Sequence, residues 1–494
     1  MKQDTSNTAQ AMWIGIGSLF SFLFSIVSAA ILSRYLTKDA YGTYKQVMYV
    51  YTTLLSVFTL GLPLAYSYFL PRVSVGEGRT LTNKLNRVFY ILGAAFAIVL
   101  FFGADVIADI LKNPSLAINI RIFSPAPIFM LPTMGLQGIL ATYKRTIWNA
   151  IYTILTRILM LVCVALPVAL YRADCETAIW GFTISSLISL IIALWIMNMP
   201  FRGVKREKST ISYKEIFNYS IPLMAAGLFG VGIKAADQFF VSRYFGQEVF
   251  ADFANGSLEL PFVGMVLSAG ATVLLPAFSR MISKGESTEE IVALWKRTAV
   301  KSALILYPLV AFFWFFASDT MTFIYGDKYA TSAIFFKIML CVNFFTVIPF
   351  YPIILALGKT KAYARMHMIN LFMVWILEYV AVITLNSAFA ITAVSVLCHI
   401  AKIMMMMGVV SSAIKVPLVK LFPIKDLLTL FLSCAFTGFV SWLIIQQLPF
   451  AHIKLAALSV GFILFAVMTY LLSKPLKIDY FDVVRPILNK FTKK

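Results

Sequence analysis

Continuous apolar runs, each roughly the twenty residues that a helix needs to cross a bilayer core, follow one another along the whole chain between short polar connections. The runs are unbroken rather than alternating, which points to helices and not to a strand barrel. The pattern predicts an all-α polytopic membrane protein with fourteen spans, near 11–33, 45–70, 87–111, 122–142, 147–170, 177–199, 216–242, 257–279, 300–324, 332–356, 366–386, 388–413, 426–447 and 453–473. No connection is long enough for a folded soluble domain.

The polar positions add a repeat. FVSRYFGQEVFADF at 240–253 aligns without a gap to ILSRYLTKDAYGTY at 31–44. Ser33/Ser242, Arg34/Arg243 and Tyr35/Tyr244 are identical, Asp39/Glu248 keeps its charge, and Tyr41/Phe250 and Tyr44/Phe253 keep their rings. In the same register Gly61 falls on Gly270. An even number of predicted spans separates the copies, so they run in the same direction, related by an axis along the membrane normal. The expected layout is two six-helix bundles around a central cavity, at 1–205 and 206–415. Two appended spans at 416–473 and a basic tail at 474–494 complete it.

Composition agrees with lipid as the main solvent: 60% hydrophobic, 13% charged and a mean hydropathy of +0.84. The net charge of +20 does not imply nucleic acid, because Lys and Arg are scattered through short connections. They concentrate in alternate ones, which predicts cytoplasmic N- and C-termini. The five cysteines include no CxxC pair and are expected to be reduced packing residues. SAA at 28–30 runs straight into further apolar sequence, so the first span is expected to be uncleaved.

Two segments look like interfacial helices. GESTEEIVALWKR at 285–297 has Ser287 and Glu290 at capping-box spacing ahead of Ile291, Leu294 and Trp295. The tail sets Ile478, Phe481, Val484, Leu488 and Phe491 along one side, near Lys490, Lys493 and Lys494, as a basic anchor on anionic lipid. Pro63, Pro222, Pro276, Pro308 and Pro349 fall within spans, as static kinks or as bends that a moving bundle uses.

SRYLTKDAYGTY at 33–44, GLPLAYSYFLPR at 61–72, YSIPLMAAG at 219–227, DQFFVSRYFGQEVF at 237–250 and IYGDKYATSAIFFKIM at 324–339 carry a resemblance in their order and spacing. It is to the polysaccharide flippase (Wzx-type) branch of the multidrug/oligosaccharidyl-lipid/polysaccharide exporter superfamily. The resemblance implies alternating access in a bacterial cytoplasmic membrane, moving a polyprenyl-diphosphate-linked oligosaccharide to the outer leaflet for O-antigen, capsule or exopolysaccharide assembly. A polysaccharide polymerase and glycosyltransferases are the implied partners. Related lipid II flippases carry a charged pair in the first span, whereas residues 11–33 hold no charge. That counts against a peptidoglycan precursor as cargo.

Such a cargo needs fixed positive charge for its diphosphate and hydrogen-bonding walls for its sugars. Arg157, near the centre of the fifth span, suits bidentate phosphate contact, the alternative being a structural ion pair. Lys234 and Asp237, three residues apart, either serve a cavity or neutralise each other. In the cavity reading Lys234 holds anionic cargo and Asp237 binds a driving proton or sodium ion. Lys402 is a further phosphate contact, His399 shares its helical face, and Glu378 is the second acidic candidate for ion coupling. Ser18, Ser21, Ser25 and Ser28 share one face of the first span, as a sugar-facing wall or as close helix packing. Arg34 and Arg243, at matching span ends, either anchor and cap helices or gate the outer side. No cofactor or metal is expected, only coupling to an ion gradient.

An ion-coupled multidrug antiporter of the same superfamily is the main alternative, and it would favour an acidic cavity. An enzyme would need a large outer loop or a DxD cluster, and the sequence offers neither.

Overall fold

The computed structural model describes residues 7–347 and 350–480. These form helices joined by short connections, with no strand among the described residues. Among the described residues, twelve helices are long and apolar enough to cross a membrane, or thirteen if one bent pair counts as a span. The chain is a multi-pass membrane protein.

The first compact unit runs to Ala251. It contains α1 (Asn7–Tyr35), α2 (Lys38–Phe58), α3 (Leu62–Phe69), α4 (Val75–Ile110), α5 (Ser115–Thr142), α6 (Thr146–Leu170), α7 (Cys175–Phe201) and most of α8 (Tyr213–Gly256). Polar caps decide where several of these begin. Thr37 accepts from the Ala40 N–H at 3.2 Å, Ser74 from the Glu77 N–H at 3.2 Å, and Asp174 from the Thr177 N–H at 2.8 Å. The second span therefore starts at Lys38, seven residues before the expected position 45, and bends by 46° into α3. Positive φ at Leu60 and Gly61 makes that bend, with Pro63 in the first turn of α3.

The second unit, from Asp252, contains α9 (Pro261–Ser283), α10 (Thr288–Phe315), α11 (Ala317–Tyr325), α12 (Ser332–Phe345), α13 (Tyr351–Ala356), α14 (Thr360–Leu385), α15 (Ala388–Ile414), α16 (Ile424–Gln446) and α17 (Lys454–Ser473). The span expected at 332–356 is split between α12 and α13, with Pro352 in the first turn of the shorter piece. Pro349 lies outside the described residues, as does the expected tail anchor from Phe481 onward, whereas its first member, Ile478, is described and packs against the core of this unit. The helix expected to lie on the interface at 285–297 is instead the first part of α10. Its capping box is present, but Ile291 and Trp295 are buried beside Phe278 and Phe350. Burying an indole and a branched side chain among aromatics outweighs resting them among headgroups.

The last two spans belong to this core. Phe312 stacks on Phe316 at 4.8 Å between ring centres and meets Phe462 and Phe465 of α17 at 5.2 and 5.9 Å. Tyr307 meets Phe431 of α16 at 6.4 Å. Lys454 reaches the buried Asp319 at 3.0 Å. The unit boundary at Ala251–Asp252 lies inside α8, downstream of the polar linker at 200–214.

Candidate functional site

In the first unit, α1, α2 and α6 enclose a cavity of about 190 Å³. Packing α1 on α6 brings the serine face of the first helix against Arg157, and α2 closes the third side. Arg157 donates its Nε–H to Ser21 Oγ at 2.7 Å, while Ser25 Oγ donates to the Ser21 carbonyl at 2.8 Å. Ser25 and Ser28 line the cavity, with Tyr41, Tyr44 and Lys45 opposite. Lys45 Nζ stands over the Tyr41 ring at 5.1 Å. Two cations thus share one small chamber with hydroxyls and phenols.

Among the described residues no carboxylate lies within ion-pair distance of Arg157 or Lys45, and none lines the cavity. A cation at membrane depth costs at least about 2.5 kcal/mol unless water or an anion compensates it. The chamber is therefore suited to an anion with several acceptor oxygens, which a guanidinium grips in bidentate fashion. Lys45 was not among the sequence candidates. Its signal was the Thr37 cap and the first-turn Asp39, which start the helix early and place Lys45 two turns inside it.

The same two turns of α2 meet the second copy of the repeat. Gly42 lies against the Gln247 carbonyl so closely that any Cβ would overlap it. Gln247 Nε2 donates to Asp39 Oδ1, Gln46 Nε2 donates to Ser242 Oγ at 2.7 Å, and Tyr49 Oη donates to the Ala235 carbonyl at 3.3 Å. Asn113 Nδ2 completes the cluster, donating to Gln46 Oε1 at 2.6 Å and Thr43 Oγ1 at 3.0 Å. Both copies break their helix at the matching position. Thr37 is extended at ψ 160° and Gly246 at ψ 176°, the latter with φ 78°. SRY thus ends a helix twice, and the two ends pack together.

A second cavity, of about 390 Å³, lies in the second unit between α9, α14 and α15. His399 and Lys402 line it, joined by Ser268, Tyr351, Tyr363 and His367. His367 stacks near Tyr363, with 4.6 Å between ring centres. It escaped the sequence reading because it lies at the border of the predicted span 366–386, where a lone histidine carries little information. No carboxylate lines this cavity either.

The remaining candidates stand elsewhere. Lys234 is exposed and Asp237 buried on α8, and neither lines a cavity described above. Glu378 is fully buried in α14, away from the Lys402 cavity lining. Ser18 is exposed beyond the chamber, and Arg34 is exposed in the last turn of α1. Arg243 donates to the Ile110 carbonyl at the end of α4 and lies 5.7 Å from the Tyr244 ring. All five cysteines are free thiols.

Among solved structures, the lipid II flippase MurJ in an inward closed conformation shares the fold. Its TM-score is 0.67 at 14% identity, over 94% of this chain and 99% of that one. An inward-facing multidrug resistance MATE family transporter of the MOP superfamily follows at 0.61 and 12%, over 82% and 99%. A point mutant of the MATE transporter VcmN of Vibrio cholerae gives 0.54 and 14%, over 82% and 96%. No curated protein sequence matches the chain. The family described as "Polysaccharide biosynthesis protein" matches residues 8–282, more than half of the chain, and the protein belongs to that family.

Proposed function

We propose that this protein is a flippase carrying polyprenyl-diphosphate-linked oligosaccharide from the cytoplasmic to the outer leaflet of a bacterial cytoplasmic membrane, with both termini in the cytoplasm. The observation that carries the reading is the chamber in which Arg157 and Lys45 share a serine- and tyrosine-lined space with no carboxylate. Fixed cations replace part of the hydration of a diphosphate, and hydroxyls do the same for sugars. Lys402, His399 and His367 supply a second basic surface. The prenyl chain needs no polar path. An apolar cavity of about 700 Å³, walled by Tyr307, Trp314, Phe344, Leu427 and Phe431, offers it a place beside α16.

In this reading the interlocked repeat copies at Gly42, Gln46, Ser242 and Gln247 are the seal of one side of the membrane. Alternating access then requires that seal to open. Asp237 and Glu378, both buried, are the groups at which a driving proton or sodium ion would bind. Glycosyltransferases and a polymerase would supply and consume the cargo. A multidrug antiporter for cationic compounds is disfavoured by two cavities lined with Arg, Lys and His and without a carboxylate.

The test is translocation of a lipid-linked glycan in cells or proteoliposomes, comparing wild type with Arg157→Ala and Lys45→Ala at equal membrane levels. Loss of outer-leaflet glycan in both variants supports the assignment. Unchanged translocation in both would remove the chamber from the mechanism.

A further inference from the structure

A third polar cavity, of about 290 Å³, opens between α4 and α7 in the first unit, apart from the Arg157 chamber. Thr82, Asn83, Asn86, Arg87 and Tyr90 of α4 line it, with Arg206 arriving from the connection that follows α7. Thr82 is 4% exposed, and its Oγ1 makes no hydrogen bond. A buried hydroxyl without a partner costs about 1–3 kcal/mol, so it points to a missing ligand. Tyr66 Oη donates to Asn86 Oδ1 at 2.6 Å, which commits that oxygen and leaves the amide N–H groups as donors.

The charge balance has one sign. Arg87 and Arg206 form no ion pair among the described residues, and no carboxylate lines the cavity. The two nearby acids are engaged by other partners. Glu77 accepts from the Thr210 N–H and hydroxyl, both at 2.6 Å, and Glu207 accepts from Ser74 Oγ. What remains is two guanidinium groups, the amides of Asn83, Asn86 and Asn198, a phenol and an orphan hydroxyl around one space. That set matches a tetrahedral oxyanion, whose oxygens accept two hydrogen bonds from one arginine.

Depth selects the source of the anion. Residues 75–87 of α4 include Glu77, Arg79, Lys84 and Arg87, whereas 88–104 hold no charge. The cavity lies where the helix passes from one composition to the other, the level of lipid headgroups. Trp195 of α7 marks the same level, with the Arg202 guanidinium 5.4 Å from its ring and Trp148 at 6.0 Å.

We propose that this cavity binds the phosphate of an anionic membrane lipid. The bound headgroup bridges α4 to the connection carrying Arg206. That connection is already held to the start of α4 by Arg79 Nη1 donating to the Val204 carbonyl at 2.7 Å and Lys84 Nζ donating to the Ile211 carbonyl at 2.6 Å. The proposal does not depend on what the protein transports.

The test is native mass spectrometry of the full chain in detergent, titrated with phosphatidylglycerol, phosphatidylcholine or inorganic phosphate. Phosphatidylglycerol should be retained about fivefold over phosphatidylcholine, and the Arg87→Gln/Arg206→Gln double variant should lose that retention about tenfold. Thr82→Val, which keeps the shape and removes the hydroxyl, should lose about threefold, while Arg87→Lys should retain more than Arg87→Gln. If the double variant fails to fold, Thr82→Val decides. Equal retention of the two lipids, no loss in the variants, or saturation by inorganic phosphate in place of lipid would each overturn the assignment.

Discussion

Arg157 Nε and Ser21 Oγ stand 2.7 Å apart across the contact of α6 with α1. This single bond aims the guanidinium into the chamber and leaves both terminal nitrogens to a ligand. Replacing Arg157 by Ala should reduce translocation at least about tenfold, since a hydrogen bond to a charged group contributes about 1.5–3 kcal/mol. Ser21→Ala removes only the aim and should cost about 1 kcal/mol, or roughly fivefold. Outer-leaflet glycan normalised to protein in the membrane reads both.

Lys45 should matter nearly as much as Arg157, and the two should not act independently. They line one chamber, so the double variant should fall short of the product of the single effects by at least about 0.5 kcal/mol. Binding of farnesyl diphosphate to the purified protein, followed by isothermal calorimetry, supplies the four corners of that cycle. Lys234→Gln, outside the chamber, should leave this binding within about twofold.

Gly42→Ala should open or destabilise the packed repeat copies. Its Cβ would overlap the Gln247 carbonyl, and overfilling a tight contact costs about 1–3 kcal/mol. The thermal midpoint should drop. A cysteine pair placed at Gln46 and Ser242, whose side chains are hydrogen-bonded at 2.7 Å, should crosslink in the parent and less readily beside Gly42→Ala.

Gly246→Ala tests the break in α8 by a different route. No atom would touch the new Cβ, so any loss comes from forcing φ 78° and ψ 176° on an L-residue, about 1–3 kcal/mol. Thr37, its counterpart in the repeat, has φ −62°, and Thr37→Ala should cost only the cap, about 1 kcal/mol. Thermal unfolding of the two variants compares strain with capping at equivalent positions.

Asp319 is buried while Lys454 is about one-third exposed. Lys454→Met, leaving the carboxylate behind, should therefore destabilise by about 2 kcal/mol, less than the loss for a fully buried pair. The Asp319→Leu/Lys454→Met double variant should recover most of that. Chemical denaturation of the detergent-solubilised protein measures the difference.

Much of this was legible in the residues alone. Continuous apolar runs specify membrane helices because lipid leaves the backbone no other partner, and the SRY repeat located two equivalent helix ends. Arg157 was legible as a functional candidate because a guanidinium in the middle of an apolar run has few innocent explanations. Lys45 was not, since hydropathy alone put it at the very edge of the span near 45–70, and the Thr37 cap carries the helix seven residues further back. The amphipathic stretch around Trp295 was misread for the complementary reason. A face with apolar residues at helical spacing suits a lipid surface and a protein core equally, and only the aromatic neighbours Phe278 and Phe350 decide between them. His367 reaches its cavity through the packing of α14 and α15, which no local pattern encodes.

The aromatic core around Phe312 and Phe316 draws one wall from α17, and Tyr307 leans on α16. A premature stop codon after residue 415 would thus not yield a pared-down version of this protein that merely lacks two spans. It would expose a cluster of bare rings to lipid and neighbouring chains, inviting mispairing and clearance by quality-control proteases.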